Sequence, residues 1–303
     1  MFSYWLKMQV NHQFKFFLQL SICLIPLLSF SQTVDFSIQD ITFESHGVKL
    51  AGSILMPKKP TAAVVIIHGS DPVKRELEFA KLLAKEGIAV LTYDKRGVGE
   101  SGGVYVGPSV GTNNIDPKNL DLLADDGSVA IDTLKSIVKD KNIPIGLLGF
   151  SQAGWIIPIA AEKNSSINFM VIFSGPVIST LEQLRFQFYT NGDEHFWEKH
   201  SESEAREHIK NDPDRYQFEP TDPQLQLSKL RIPGLWIFGG RDIQIPSRLC
   251  IDNLKKQIKM GKQYEYLFYP SLGHSTAFSN SPEPVNDAIH WIKRVVKLIR
   301  KGM

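Results

Sequence analysis

Ser151 lies in the segment GFSQAG, residues 149–154, immediately after the apolar run IGLL. A serine hydroxyl is a poor nucleophile unless a base removes its proton and fixed donors receive the charge that develops. A sharp turn from a buried strand into a helix meets part of that need, because it lifts the hydroxyl out while the free N–H groups of the new helix face the reaction. Such a turn requires small flanking residues. Gly149 and Ala153 occupy the flanking positions of a G-x-S-x-G pattern, with alanine where the second glycine is usual and Gly154 next to it.

A short glycine and serine pattern also arises in ordinary loops, so the remaining parts must be found elsewhere in the chain. His274 follows the run YEYLFYPSLG and could take the hydroxyl proton during attack on a carbonyl carbon, then return it to the leaving group. Asp242 follows GLWIFGGR and could accept the other imidazole N–H, fixing the tautomer and stabilising the cation. For the oxyanion, the backbone N–H of Gln152 is the first donor, and Ser70, in the HGSDP loop after the run AVVIIH, is the second. The order Ser, Asp, His accompanies a nucleophile on a strand-to-helix turn.

The elements that must position these groups are legible as alternating runs. DITFES and VKLAGSILMP, joined at His46-Gly47, predict an antiparallel hairpin. From Ala63 onward, continuous apolar runs alternate with amphipathic stretches, which predicts parallel strands covered on both faces. The helices are expected near 121–139, 151–163, 248–259 and 284–300, together with RELEFAKLLAKEG. Between about Val177 and Ser228 no strand-like run occurs, and LEQLRFQFY and ESEAREHIK predict a helical insertion. The fold expected is α/β, a doubly wound and mostly parallel sheet with an N-terminal antiparallel hairpin and a helical cap insertion over 177–228. Each of Ser151, Asp242 and His274 then falls at the carboxyl end of a strand, where open sheets gather their reactive groups.

Composition, with 43% hydrophobic and 22% charged residues, is that of an ordinary globular chain. Residues 1–31 stand apart. Lys7 and Lys15 are their only charges and precede FFLQLSICLIPLLSF, a run too short to span a bilayer, which reads as a secretory signal peptide cleaved near Gln32. The expectation is therefore an exported domain over 32–303 with no membrane span after cleavage; the alternative is an uncleaved anchor, and Met8 is a second possible start. A lipid anchor on Cys23 is disfavoured by Ile22, which stands where lipoprotein signals resemble one another in having a small residue. The chain has 34 Lys and Arg against 32 Asp and Glu, and the two leader lysines account for the whole excess. A neutral domain carries no footprint for nucleic acid, and its one basic cluster, KRVVKLIRK, reads as the solvated face of the last helix. With Cys23 removed, Cys250 is the only thiol, so neither an internal disulfide nor a cysteine zinc site is expected, and the chemistry calls for no cofactor and no metal.

Rival readings are weaker. His290 lies mid-helix in DAIHWIK, and His68 is better placed to shape its loop than to act as a base. His200, Glu204 and His208 share one helical face by i, i+4, i+8 spacing, which could bind a metal, although such faces are usually only solvated. Asp94, in LTYDKRGVGES, sits among Arg96, Gly97 and Gly99 and reads as the centre of a turn-fixing network.

Taken together, HGS, YDKRGVGES, GFSQAG, FGGRDIQIP and SLGHS make residues 40–300 resemble an α/β-hydrolase. The branch most similar contains serine aminopeptidase-like proteins, carboxylesterases and acyl-CoA thioester hydrolases, in which a helical cap often follows the sixth strand. Ala153 and Asp71, where relatives often have glycine, depart from that pattern. The resemblance implies hydrolysis of a small-molecule ester or peptide through an acyl-enzyme, and nothing in it specifies an oligomer. In the insertion, Phe186, Phe188, Tyr189, Phe196 and Trp197 could line an acyl pocket, with Phe186, Tyr189 and Trp197 the candidates to contact substrate, although packing the cap onto the core is the more ordinary role for such residues. Glu182, Asp193 and Glu194 are available to an aminopeptidase for a substrate ammonium group. Export argues against a CoA thioester, so carboxylesterase comes first, peptidase second and thioesterase third. A hydrolase fold retained only for binding is the alternative from another class.

Overall fold

The computed structural model describes residues 35–107, 113–212 and 219–302. The proposed leader lies outside these residues, as does the stretch 213–218 of the insertion.

Phe36–Ser45 (β1) and Val48–Pro57 (β2) form the expected hairpin, turning through His46 and Gly47, both at positive φ (49° and 70°), as a two-residue turn of the hairpin hand requires. Ala62–Ile67 (β3), Ile88–Tyr93 (β4), Ile145–Phe150 (β5), Ile167–Phe173 (β6), Gly234–Gly239 (β7) and Tyr264–Tyr269 (β8) complete one eight-stranded sheet in the order β1-β2-β4-β3-β5-β6-β7-β8. Only β2 runs against its neighbours; the pairs from β4 through β8 are parallel. The chain moves to β4 on one side of β3 and to β5 on the other, so the order reverses at β3. A crevice opens at the carboxyl ends of strands at such a switch point.

The strands β3, β4, β5 and β7 are buried along their whole length because helices cover both faces of the sheet. Alternate residues feed two separate cores. Ala63, Val65 and Ile67 pack with Pro117–Ile137 (α2) and Ala153–Lys163 (α3), while Val64 and Ile66 pack with Leu77–Lys85 (α1) and Glu283–Gly302 (α9). The helix expected near 121–139 begins earlier, at Pro117, because Asp116 caps it by accepting from the Lys118 N–H and proline suits the first helical position. Among the described residues, no helix is long and apolar enough to cross a membrane.

Between β6 and β7 the chain is helical: Thr180–Thr190 (α4), Phe196–Lys199 (α5), Glu202–Asn211 (α6) and Pro223–Lys229 (α7). Reciprocal capping boxes start α4 at Ser179 with Glu182 and α6 at Ser201 with Glu204. Phe186, Phe196, Ala205 and Ile209 form a small core of their own under α4, α5 and α6. In contrast, α7 packs on α3 and on Ser247–Lys259 (α8), joining the helix layer of the sheet.

Candidate active site

The site is built at the end of β5. Ser151 holds φ at 49°, in the left-handed region that a side chain adopts only under constraint, and its N–H donates to Phe173 O at 2.9 Å. Gly149 makes the turn possible: a Cβ there would stand 2.5 Å from the Ala153 Cβ and 2.8 Å from Ile67 O. Ala153 is accommodated for the same reason, since its methyl occupies the space that Gly149 leaves, and the departure from the usual glycine is harmless.

His274 Nε2 lies 2.9 Å from Ser151 Oγ, and His274 Nδ1 lies 2.8 Å from Asp242 Oδ2. The three residues expected to act together are thus joined in one chain of hydrogen bonds drawn from three strand ends. Asp242 is buried, and its other oxygen, Oδ1, accepts from the N–H groups of Gln244 (2.7 Å) and Ile245 (2.9 Å), which leaves Oδ2 for the imidazole. The two loops meet closely because β7 ends in glycine. A Cβ on Gly239 would stand 2.1 Å from Gly273 O, and Arg241 N–H donates to Leu272 O at 2.8 Å.

Burial by itself disfavours an imidazolium at His274, yet Asp242 and, more weakly, Asp71 outweigh it and raise the pKa above the ordinary histidine value. An imidazole held in this way, 2.9 Å from Ser151 Oγ, could receive a proton from that hydroxyl.

Gln152 and Ser70, the expected oxyanion donors, both line a cavity of about 440 Å³ that also includes Ser151. Among the described residues, no acceptor takes the backbone N–H of either one. Ser70 and Ser151 also line a second cavity, of about 270 Å³, with Asp71, Glu76, His274 and Phe278. Ser151 therefore stands between two spaces. A larger cavity, about 800 Å³, lies along β1 and β2 and includes none of these residues.

The expected substrate contacts in the insertion need correction. Phe186 is fully buried in the small helical core, and Tyr189 stacks on His208 at 4.1 Å and lines a separate cavity that does not include Ser151. Trp197 turns its indole N–H onto Asp242 O at 2.7 Å, so it braces the acid loop. The α4 residues that line the cavity at Ser151 are Gln183, Leu184, Gln187, Phe188 and Asn191, with Trp155, Gln244 and Ile245 opposite. Spacing i, i+3, i+4 and i+7 from Leu184 marks this stripe as one helix face, and that periodicity was the signal available in the sequence.

His68 is buried; its Nε2–H donates to Tyr93 O, and burial lowers its pKa to about 4, which keeps it neutral. Asp94 accepts from Arg75 N (2.8 Å), Arg75 Nε (3.1 Å) and Glu100 N (2.9 Å), a network that fixes the turn. His290 is exposed on α9. The metal-binding face imagined through His200, Glu204 and His208 does not form, because Ser201 starts a new helix: His200 ends α5 and meets Tyr189 Oη at 3.1 Å, while Glu204 closes the α6 cap. Among the described residues no group of three or more metal-ligating side chains occurs.

With this geometry in place, the likeness to known proteins is informative. The family described as "Serine aminopeptidase, S33" matches residues 58–208, a span that contains His68, Ser70 and Ser151 and ends before Asp242. Esterase EstD of Thermotoga maritima is 26% identical over 296 residues, covering 88% of this chain and 68% of that protein. An esterase of Pyrococcus furiosus superposes with a TM-score of 0.61 at 19% identity, covering 88% of this chain and 91% of its own. The acylaminoacyl peptidase of Pyrococcus horikoshii superposes with a TM-score of 0.62 at 15% identity over 88% of this chain and 43% of its own. The chain has the fold of these hydrolases: one mostly parallel eight-stranded sheet, flanked by helices and opened by an antiparallel pair.

Proposed function

We propose that the chain is a serine hydrolase that cleaves carboxylic esters, with Ser151 as nucleophile, His274 as general base and acid, and Asp242 as the group that orients and stabilises the imidazole. The observation that carries this reading is the pair of hydrogen bonds, 2.8 and 2.9 Å, linking Asp242, His274 and a serine on a left-handed turn between two cavities. Ser151 Oγ would attack the ester carbonyl carbon as His274 takes the hydroxyl proton, and the oxyanion would be received by the N–H groups of Gln152 and Ser70. Collapse breaks the bond to the alkoxy group, which leaves with the proton from His274. Water then attacks the acyl-enzyme, its proton passes to His274, and the second tetrahedral species releases the acid and returns that proton to Ser151.

The larger of the two cavities at Ser151 favours an uncharged acyl group. Among the described residues lining it none is charged; amides at Asn114, Gln152, Gln183, Gln187, Asn191 and Gln244 alternate with Ile115, Leu184, Phe188 and Ile245. Of the three acids expected to be available for an ammonium, Glu182 is committed to the α4 cap and Asp193 to Lys199 at 2.8 Å, and Glu194 does not line this cavity. Relatives named as esterases are consistent with this choice. A peptidase is the second reading, favoured by Asp71 and Glu76 in the smaller cavity and by the likeness to an acylaminoacyl peptidase.

The leader is proposed to direct export, with residues 32–303 as the working domain. A panel of p-nitrophenyl esters and aminoacyl anilides tests the substrate assignment: ester turnover favouring uncharged acyl groups is expected, and turnover of anilides alone would overturn it.

A further inference from the structure

Lys95 follows β4 and is only 3% exposed. Its ammonium donates to Gly69 O at 2.6 Å, to Ser70 O at 3.1 Å and to Gln152 Oε1 at 3.1 Å. An ammonium has three protons, and each here has one acceptor. None of the three acceptors is charged, and among the described residues no carboxylate lies within ion-pair distance of Lys95. Burying a lysine on neutral oxygens alone is costly, so the arrangement must be supported by what it holds in place.

What it holds is both halves of the oxyanion site. The two carbonyls belong to the loop after β3, and the amide belongs to the first residue after the nucleophile. A trans peptide directs its C=O and the following N–H to opposite sides, and among the described residues there is no cis bond. With Gly69 O drawn onto Lys95, the Ser70 N–H is therefore turned away from Lys95. Tyr105 Oη adds a second donor to Ser70 O at 2.7 Å and places its ring beneath the ammonium. The Gln152 side chain is fixed at its other end too, where Nε2 donates to Asn114 O. That leaves only one sensible amide orientation, since the reverse would set two donors against each other.

We propose that Lys95 is the positioning residue of the oxyanion site, a single buried cation that locks the Ser70 and Gln152 donors into register and adds positive potential beside the developing charge. Burial lowers its pKa to about 8 while Asp71 acts in the opposite direction, so the ammonium form prevails at neutral pH. This assignment rests on the hydrolase reading above and adds to it a residue that never contacts the substrate.

The test uses the full chain as wild type, Lys95→Met, Lys95→Arg and Tyr105→Phe, each checked for cooperative unfolding. It compares kcat and KM on a p-nitrophenyl ester with inhibition by a trifluoromethyl ketone, whose adduct on serine carries an oxyanion. Lys95→Met is expected to lower kcat by about 100-fold or more, the scale of losing one oxyanion donor, with KM within about twofold and ketone affinity falling in proportion to kcat/KM. Lys95→Arg, which keeps the charge, recovers part of both. If Lys95→Met does not fold, half-buried Tyr105→Phe carries the test, with kcat and ketone affinity falling together by a few-fold at unchanged KM. A folded Lys95→Met with wild-type kcat and ketone affinity, or with only KM raised, overturns the assignment of Lys95 alone. A wild-type chain that neither hydrolyses esters nor binds the ketone overturns the hydrolase reading, and this assignment with it.

Discussion

Trp197 donates its indole N–H to the backbone carbonyl of Asp242 at 2.7 Å, so the helical insertion is hydrogen-bonded to the loop that carries the acid. The same ring packs against Phe196, with centroids 5.0 Å apart, and against Phe186 at 5.9 Å. Trp197→Phe should keep most of that packing and lose the hydrogen bond. The expected result is a loss of about 1 kcal/mol in unfolding free energy and a several-fold fall in kcat at unchanged KM for short esters. A rise in KM alone, with stability and kcat intact, would instead restore Trp197 as a substrate contact.

Asp242→Asn tests the acid. The carboxylate oxygen that faces His274 becomes part of an amide, and the imidazole loses both its preferred tautomer and the stabilisation of its cation. Turnover should fall by about 10⁴-fold in a chain that still folds. A fall below tenfold, measured as kcat on a p-nitrophenyl ester, would mean that another group orients His274.

The pH dependence follows from the direction in which His274 is shifted. In the proposed mechanism the neutral imidazole is the base, and a raised pKa keeps it protonated to higher pH, so kcat/KM should be lost as pH falls through a value above that of an ordinary histidine. Asp71 contributes to the upward shift, and Asp71→Asn should therefore move the acid limb to lower pH. A limb that moves to higher pH, or not at all, contradicts this electrostatic account.

Phe186 and Phe188 differ by half a turn of α4 and should differ in kind when truncated. Phe186 is fully buried, and Phe186→Ala should destabilise the chain by about 3 to 5 kcal/mol. Phe188 is 60% exposed and lines the cavity at Ser151, and Phe188→Ala should shift the preference among acyl chain lengths with little change in unfolding midpoint. Reversed outcomes would mean that the face of α4 turned to the site is the other one.

These contrasts also mark where sequence reading succeeds and where it stops. The meeting of Ser151, Asp242 and His274 was legible because each follows a strand-like run; the runs before Ser151 and Asp242 are buried along their whole length, while Tyr264–Tyr269, before His274, is mostly half-buried. The two elements of the opening hairpin were legible from His46-Gly47 in the same way. Among the aromatics of the insertion, Phe188 lines the cavity at Ser151, while Phe186 and Phe196 fill the insertion's own core, because such residues serve either purpose and only tertiary packing decides which face turns inward. The break at Ser201 was in fact written in the sequence, since Ser201 and Glu204 have the spacing of a capping box, and that signal outweighs the periodicity of His200, Glu204 and His208. Lys95 carried no such mark: flanked by Asp94 and Arg96, it has the composition of a solvated turn, and its burial depends on the approach of Gly69, Ser70 and Gln152 from distant parts of the chain.

Labelling with a fluorophosphonate, followed by mass analysis of the modified peptide, tests the central claim most directly. One adduct is predicted, on Ser151, formed rapidly in the wild-type chain, slowed by orders of magnitude in His274→Ala and absent from Ser151→Ala along with ester turnover. Labelling and turnover that persist in Ser151→Ala would contradict the assignment of Ser151 as the nucleophile.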